Sequence, residues 1–117
     1  MDLIYDFQPR QIVCLEHESS YLYAEVIQVV QSRTVCWVRP LLLAEYPSSD
    51  RYKSLIYDLR STADVVWSLN LFRPALDTEV IGLIAQLASA PQLDSDPVAL
   101  KQLNQFISKV WQAHQQG

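Results

Sequence analysis

The sequence predicts an α+β protein: a small five-stranded antiparallel, SH3-like β-barrel followed by two C-terminal α-helices. Three observations lead there. Residues 11–69 break into five short runs rich in β-branched and aromatic residues, separated by polar or proline-containing stretches. Beyond residue 76 the apolar residues recur at spacings of three and four instead. A chain of 117 residues, half of them hydrophobic, is sized for one core, so residues 1–117 are expected to form a single domain, with a barrel-like part over 1–76 and a two-helix part over 77–117 packed on it.

The first run, Gln11 to Leu15, is short and apolar, and the polar stretch Glu16 to Ser20 separates it from Tyr21 to Val30. Only Gln31, Ser32 and Arg33 stand before the third run, Thr34 to Leu43, so the second and third runs read as a hairpin. Pairing Val30 with Thr34 sets Val26 against Val38, Ile27 against Trp37 and Glu25 against Arg39, which matches apolar to apolar and charge to opposite charge. A slip of one residue would set Val26 against Arg39 and reverse the faces. In this register Cys36 and Val38 face the core, and Val35, Trp37 and Arg39 face outward or towards the terminal helices. Pro40 cannot donate to a ladder, so regular pairing is expected to weaken there.

Ala44 to Ser54, with Pro47, paired serines and alternating charges, is the main loop and the segment predicted to be most mobile. Leu55 to Leu59 resumes strand character, Arg60 to Asp64 turns, and Val65 to Leu69 is the fifth run. Leu71 to Leu76 joins barrel to helices, and Arg73 within it is expected to serve structure. Asp77 is the expected N-cap of a helix over Thr78 to Ser89, with an apolar stripe at Val80, Ile81, Ile84, Leu87 and Ala88. Pro91 ends it, and Asp96-Pro97 pairs a cap with a proline at the first helical position. The second helix should run to about His114 with Leu100, Leu103, Phe106, Ile107, Val110 and Trp111 on its buried stripe, while Trp67 and Trp111 both read as core.

Formal net charge is −4, with the acidic excess dispersed along the chain, so the overall field disfavours a polyanion such as DNA or RNA. The amino terminus carries Asp2 and Asp6 ahead of any apolar run and does not read as a secretory signal, and no apolar stretch is long enough to span a membrane. A cytoplasmic location with reduced cysteines follows as the expectation for Cys14 and Cys36, each inside an apolar run.

Catalytic apparatus is scarce. His17 lies in a polar turn and His114 near a helix end, so both read as solvated, and a Cys14–His17 dyad would require the end of the first strand to curl back. Cys14, His17, Cys36 and His114 show no close ligand spacing, so no metal is expected. Gly82 and Gly117 are the only glycines, which leaves no loop to cradle a phosphate or nucleotide cofactor. Paired acids such as Glu16 with Glu18 and Asp94 with Asp96 read as solvated or capping.

The segments TVCWVRPLLL, IYDLRSTADVVW and LFRPALDTEVIGLI together resemble small uncharacterised proteins of cyanobacteria with an SH3-like barrel. That resemblance implies a soluble protein, in the cytoplasm or at the thylakoid surface, similar to accessory and assembly subunits of larger complexes. It implies no catalytic residue. The residues themselves point the same way: aromatics with arginine are what binding hot spots are made of, and Trp37, Arg39, Arg33, Tyr46 and Tyr23 are the candidate partner-binding residues. The expected function is therefore a non-enzymatic interaction or assembly module for a larger protein partner. RNA binding through a small barrel is the alternative, and an enzyme with a cleft of sequence-distant residues a further one. The helix stripes serve a monomer or a homodimer equally.

Overall fold

The computed structural model describes residues 7–46, 55–89 and 96–115. In chain order these form β1 (Ile12–His17), β2 (Ser20–Val30), β3 (Val35–Glu45), β4 (Leu55–Asp58), β5 (Val65–Ser68), β6 (Arg73–Pro74), α1 (Asp77–Ser89) and α2 (Pro97–Gln115). Single 3₁₀ turns at Gln31–Arg33 and Leu69–Leu71 join β2 to β3 and β5 to β6. The expected mobile loop falls for the most part on residues 47–54, which lie outside the described residues, as does Asp94; Ala44 and Glu45 instead complete β3.

All pairings are antiparallel, in the order β4-β3-β2-β1-β6, with β5 also on β3. Among the described residues the sheet thus has six strands, not five, and it is not closed into a barrel. The reason lies in its two ends. On one side, β4 and β5 share a single edge of β3, β5 against Val35–Val38 and β4 against Leu42–Glu45. On the other, β6 has only two residues, and its Pro74 has no N–H to carry a ladder further.

The space a closed barrel would fill with opposing strands is filled by α2. Its Ala99, Leu103, Phe106 and Val110 join Val13, Leu15, Leu22, Ala24, Val26, Cys36, Val38 and Leu43 in one buried cluster. The alternate residues of the same strands, Cys14, Tyr23, Leu42 and Ala44, form a second cluster with Leu87 of α1, flanked by Val80 and Leu83. Strand alternation therefore gives the sheet two apolar faces, each covered by one helix.

Two bulges make this possible. Ile27 is the extra residue on β2 between the Val26–Val38 and Gln28–Trp37 pairs, and Leu41 is the extra residue on β3 between Ala24–Pro40 and Tyr23–Leu42. The bulge at Leu41 switches side-chain parity, so Cys36 and Val38 face α2 whereas Leu42 and Ala44 face α1. Its carbonyl is not wasted, because it accepts the Leu59 N–H at 2.9 Å. The expected pairs Glu25–Arg39 and Val26–Val38 are present, but the bulge at Ile27 shifts the pairs nearer the turn to Gln28–Trp37 and Val30–Val35.

The helix starts follow local chemistry. The Asp96 carboxylate accepts the N–H groups of Val98 and Ala99 at 3.0 and 3.2 Å, with Pro97 as the first helical residue. At α1 the cap is not Asp77. The helix is entered at Leu76, whose carbonyl accepts the Val80 N–H and whose own N–H donates to Glu79 Oε1 at 2.7 Å, the back-reaching half of a capping box. The buried stripe of α2 is rotated slightly from the expected one: Ala99 takes a core place, while Leu100 and Trp111 are 46% and 56% exposed. Trp111 is thus a surface residue, whereas Trp67 packs against the core as expected. On α1 only Leu87 is fully buried, and Ile81 is 69% exposed.

Candidate functional site

The five candidate residues do not converge on one surface. Trp37 and Arg39 stay together, because residues two apart on a strand share a face. They point away from the Cys36–Val38 side, on the face that α1 covers further along β3. There the β3–β5 register sets Val66 directly opposite Trp37 and brings Asp64 alongside. The Trp37 indole donates from Nε1 to Asp64 Oδ2 at 3.0 Å, and Arg39 Nε donates to Asp64 Oδ1 at 3.4 Å. One carboxylate thus fixes both side chains while 38% of Trp37 and 62% of Val66 remain exposed. The result is an oriented aromatic ring beside an exposed aliphatic, rimmed by a partly solvated ion pair.

Tyr23 and Tyr46 lie elsewhere, on the α1 side of the sheet near the β1–β2 turn. Tyr23 is buried, and its hydroxyl donates to Glu79 Oε2 at 2.9 Å. Burial and the adjacent charge of Glu79 raise the Tyr23 phenol well above its ordinary range. Tyr46 meets Tyr21 edge to face, with ring centroids 5.5 Å apart and an interplanar angle of 81°. These tyrosines and the first turns of α1 line an open groove of about 740 Å³. Arg33 is in a third place, on the 3₁₀ turn, where it lines a cleft of about 720 Å³ with Trp67, Trp111 and His114.

Arg73 has the structural role expected of it. It donates to Glu79 Oε1 at 2.7 Å, to Glu16 at 3.4 Å and to the Pro74 carbonyl at 3.2 Å, so β6, β1 and α1 are tied at one point. The hydrogen bond from Arg73 holds the Glu79 carboxyl far down, from 4.5 to about 2, helped by the Leu76 N–H and the Tyr23 hydroxyl.

Cys14 and His17 do not form a dyad. Cys14 faces α1, whereas His17, three residues on, faces α2 and meets the Phe106 ring edge-on at 6.4 Å. His17 is therefore partly buried and not a solvated turn residue; its side chain is 22% exposed. Burial pushes the Cys14 thiol up to about 12, which removes the thiolate a nucleophile needs. Cys14 and Cys36 are both free and buried on opposite faces of the sheet. Among the described residues no group of His, Cys, Asp and Glu is arranged to hold a metal ion, and no helix is long and apolar enough to cross a membrane.

Sequence reasoning missed Asp64, Val66, Tyr21 and Glu79. Asp64 and Val66 become neighbours of Trp37 only through a strand pairing that spans about thirty residues, which no local pattern encodes. Tyr21 did carry a signal, since it stands two residues from Tyr23 and so shares its face. No protein-family model, curated protein or solved structure matches the chain.

Proposed function

We propose that this protein is a non-enzymatic interaction module that docks a larger protein partner through the outer face of β3 and β5, with Trp37 as its anchor. The observation that carries the reading is the Trp37–Asp64–Arg39 arrangement. A tryptophan held by a hydrogen bond to a side chain that is also ion-paired loses little rotamer freedom on binding, which is the cost that usually weakens an exposed anchor. Val66 extends the apolar surface, and Arg39 supplies the charged rim that typifies binding hot spots.

The return of β6 to β1 after a 3₁₀ turn supports an SH3-like reading of the strand path, with α2 standing in for barrel closure. A cytoplasmic accessory or assembly subunit agrees with two buried free thiols and a formal net charge of −4. The same charge argues for a protein over a nucleic acid as the partner. The test is partner retention by Arg39→Ala and Val66→Ser variants, whose side chains are exposed enough to leave the fold intact. Both should lower recovery of a co-purifying partner; recovery equal to the parent protein would remove this face from consideration.

A further inference from the structure

β5 lies at the margin of the Trp37 face, and its outer edge is an open half of a ladder. The Leu69 N–H donates to the Thr34 carbonyl at 2.9 Å, and the same antiparallel register continues through Cys36–Trp67 and Val38–Val65. Hydrogen-bonded and non-hydrogen-bonded pairs alternate in such a ladder, so Val65, Trp67 and Leu69 turn their backbone groups to β3. Val66 and Ser68 turn theirs the other way, two N–H donors and two carbonyl acceptors that meet no partner among the described residues.

Exposed edges are ordinarily blunted by brevity, proline or charge. The edge at β6 is two residues long and carries Pro74, and β4 ends at the Asp58–Arg60 ion pair. The β5 sequence, VVWS, has no such residue. A cleft of about 720 Å³ runs past it, touching Val66 and Ser68 on one face and Trp67 on the other, with Trp111 of α2 exposed beside it. Arg33 lines the end of this cleft nearest Ser68, since it precedes Thr34, the residue opposite Leu69. Its side chain is exposed and has neither a hydrogen-bond nor an ion-pair partner among the described residues.

We propose that the partner docked at Trp37 adds an extended segment to the outer edge of β5, continuing the antiparallel sheet, with an acidic residue at the amino-terminal end of that segment facing Arg33. This rests on the Trp37 face as the docking surface and names what that face receives. Main-chain bonds to Val66 and Ser68 supply the affinity, and alternate side chains of the segment lie beside Val66 on one face and beside Trp67 and Trp111 on the other. An antiparallel segment enters past Asn70 and leaves past Val65, which brings its first residues to Arg33.

The test is titration of the full chain with the capped peptide acetyl-Glu-Thr-Val-Leu-Val-Thr-amide, whose two valines oppose Ser68 and Val66, followed by amide NMR signals and hydrogen exchange. Ser68 has a φ of −58°, which proline adopts, and its N–H serves no bond to β3, so Ser68→Pro removes one edge donor and spares the fold. Ser68→Ala removes only the hydroxyl. Saturable binding should slow exchange at the Val66 and Ser68 amides, about tenfold weaker in Ser68→Pro and unchanged in Ser68→Ala. N-methylation of either peptide valine should abolish it, and N-methylation of the leucine between them should not. Glutamine in place of the peptide glutamate should weaken binding about threefold.

No saturable binding, full binding by Ser68→Pro, or equal tolerance of N-methylation at all three positions would overturn strand addition, and an unchanged affinity of the glutamine peptide would overturn the pairing with Arg33. Protection of the same amides that grows with protein concentration without peptide would make a second copy the occupant and overturn the assignment to a partner. Normal binding by Ser68→Pro with loss in Trp37→Ala would overturn the edge and leave the Trp37 face standing; the converse would remove the face and leave the edge.

Discussion

Glu79 joins three parts of the molecule through one carboxylate, and its protonation is therefore a stability switch. It accepts from Arg73 on β6, from the Tyr23 hydroxyl on β2 and from the Leu76 N–H at the start of α1. Because its folded carboxyl titrates at about 2 and an ordinary one at 4.5, the contribution is fully present above pH 4.5 and is lost as the pH falls towards 2. Partial solvation of Arg73 screens the pair, so the contribution is about 2 kcal/mol. Urea unfolding of Glu79→Gln should show that loss at neutral pH and a flatter acid limb than the parent protein. A second residue-scale prediction concerns Thr34, a β-branched residue in a left-handed conformation (φ 56°, ψ 42°) after the 3₁₀ turn. Relief of that backbone strain in Thr34→Gly should raise stability by about 1 kcal/mol in the same urea assay.

At the scale of elements, α2 decides whether the sheet has a filled face. Phe106 is 2% exposed among strand residues and against His17, whereas Trp111, one turn on and larger, is 56% exposed. Phe106→Ala should therefore cost about 3–5 kcal/mol, and Trp111→Ala less than about 0.5 kcal/mol, in thermal or urea unfolding. The pair also shows what the sequence could and could not convey. Spacings of three and four identified the helix and its apolar side, and Asp96-Pro97 fixed where it begins. They did not fix its rotation, because Leu100, Leu103, Phe106, Ile107, Val110 and Trp111 span a stripe wider than the contact the sheet offers, and only packing selects Ala99 over Leu100 at the rim. Likewise the Glu25–Arg39 and Val26–Val38 pairs were legible from side-chain matching, but the bulge at Ile27 was not, since an extra residue in a strand leaves no mark in composition.

For the whole molecule, the two bulges, the short β6 and the two helices are one arrangement. A sheet with both faces apolar needs two covers, and the parity switch at Leu41 lets β3 serve α2 with Cys36, Val38 and Leu43 and α1 with Leu42 and Ala44. The cover over the α1 face stops short of Trp37 and Val66, which is why an apolar surface remains there. Trp37 and Arg39 were legible as a pair from strand alternation; their separation from Tyr23, Tyr46 and Arg33 was not, because it follows from the third dimension of the sheet and from where α1 ends. We propose that this uncovered face holds a larger partner. The most direct measurement is quantitative affinity capture of tagged parent protein and Trp37→Ala from the native source at moderate salt, with both proteins first shown to be folded. A stoichiometric larger protein should be retained by the parent and lost, by about tenfold or more, from Trp37→Ala, as expected for an aromatic hot spot worth about 1.4 kcal/mol or more. Equal retention by the two proteins would contradict it.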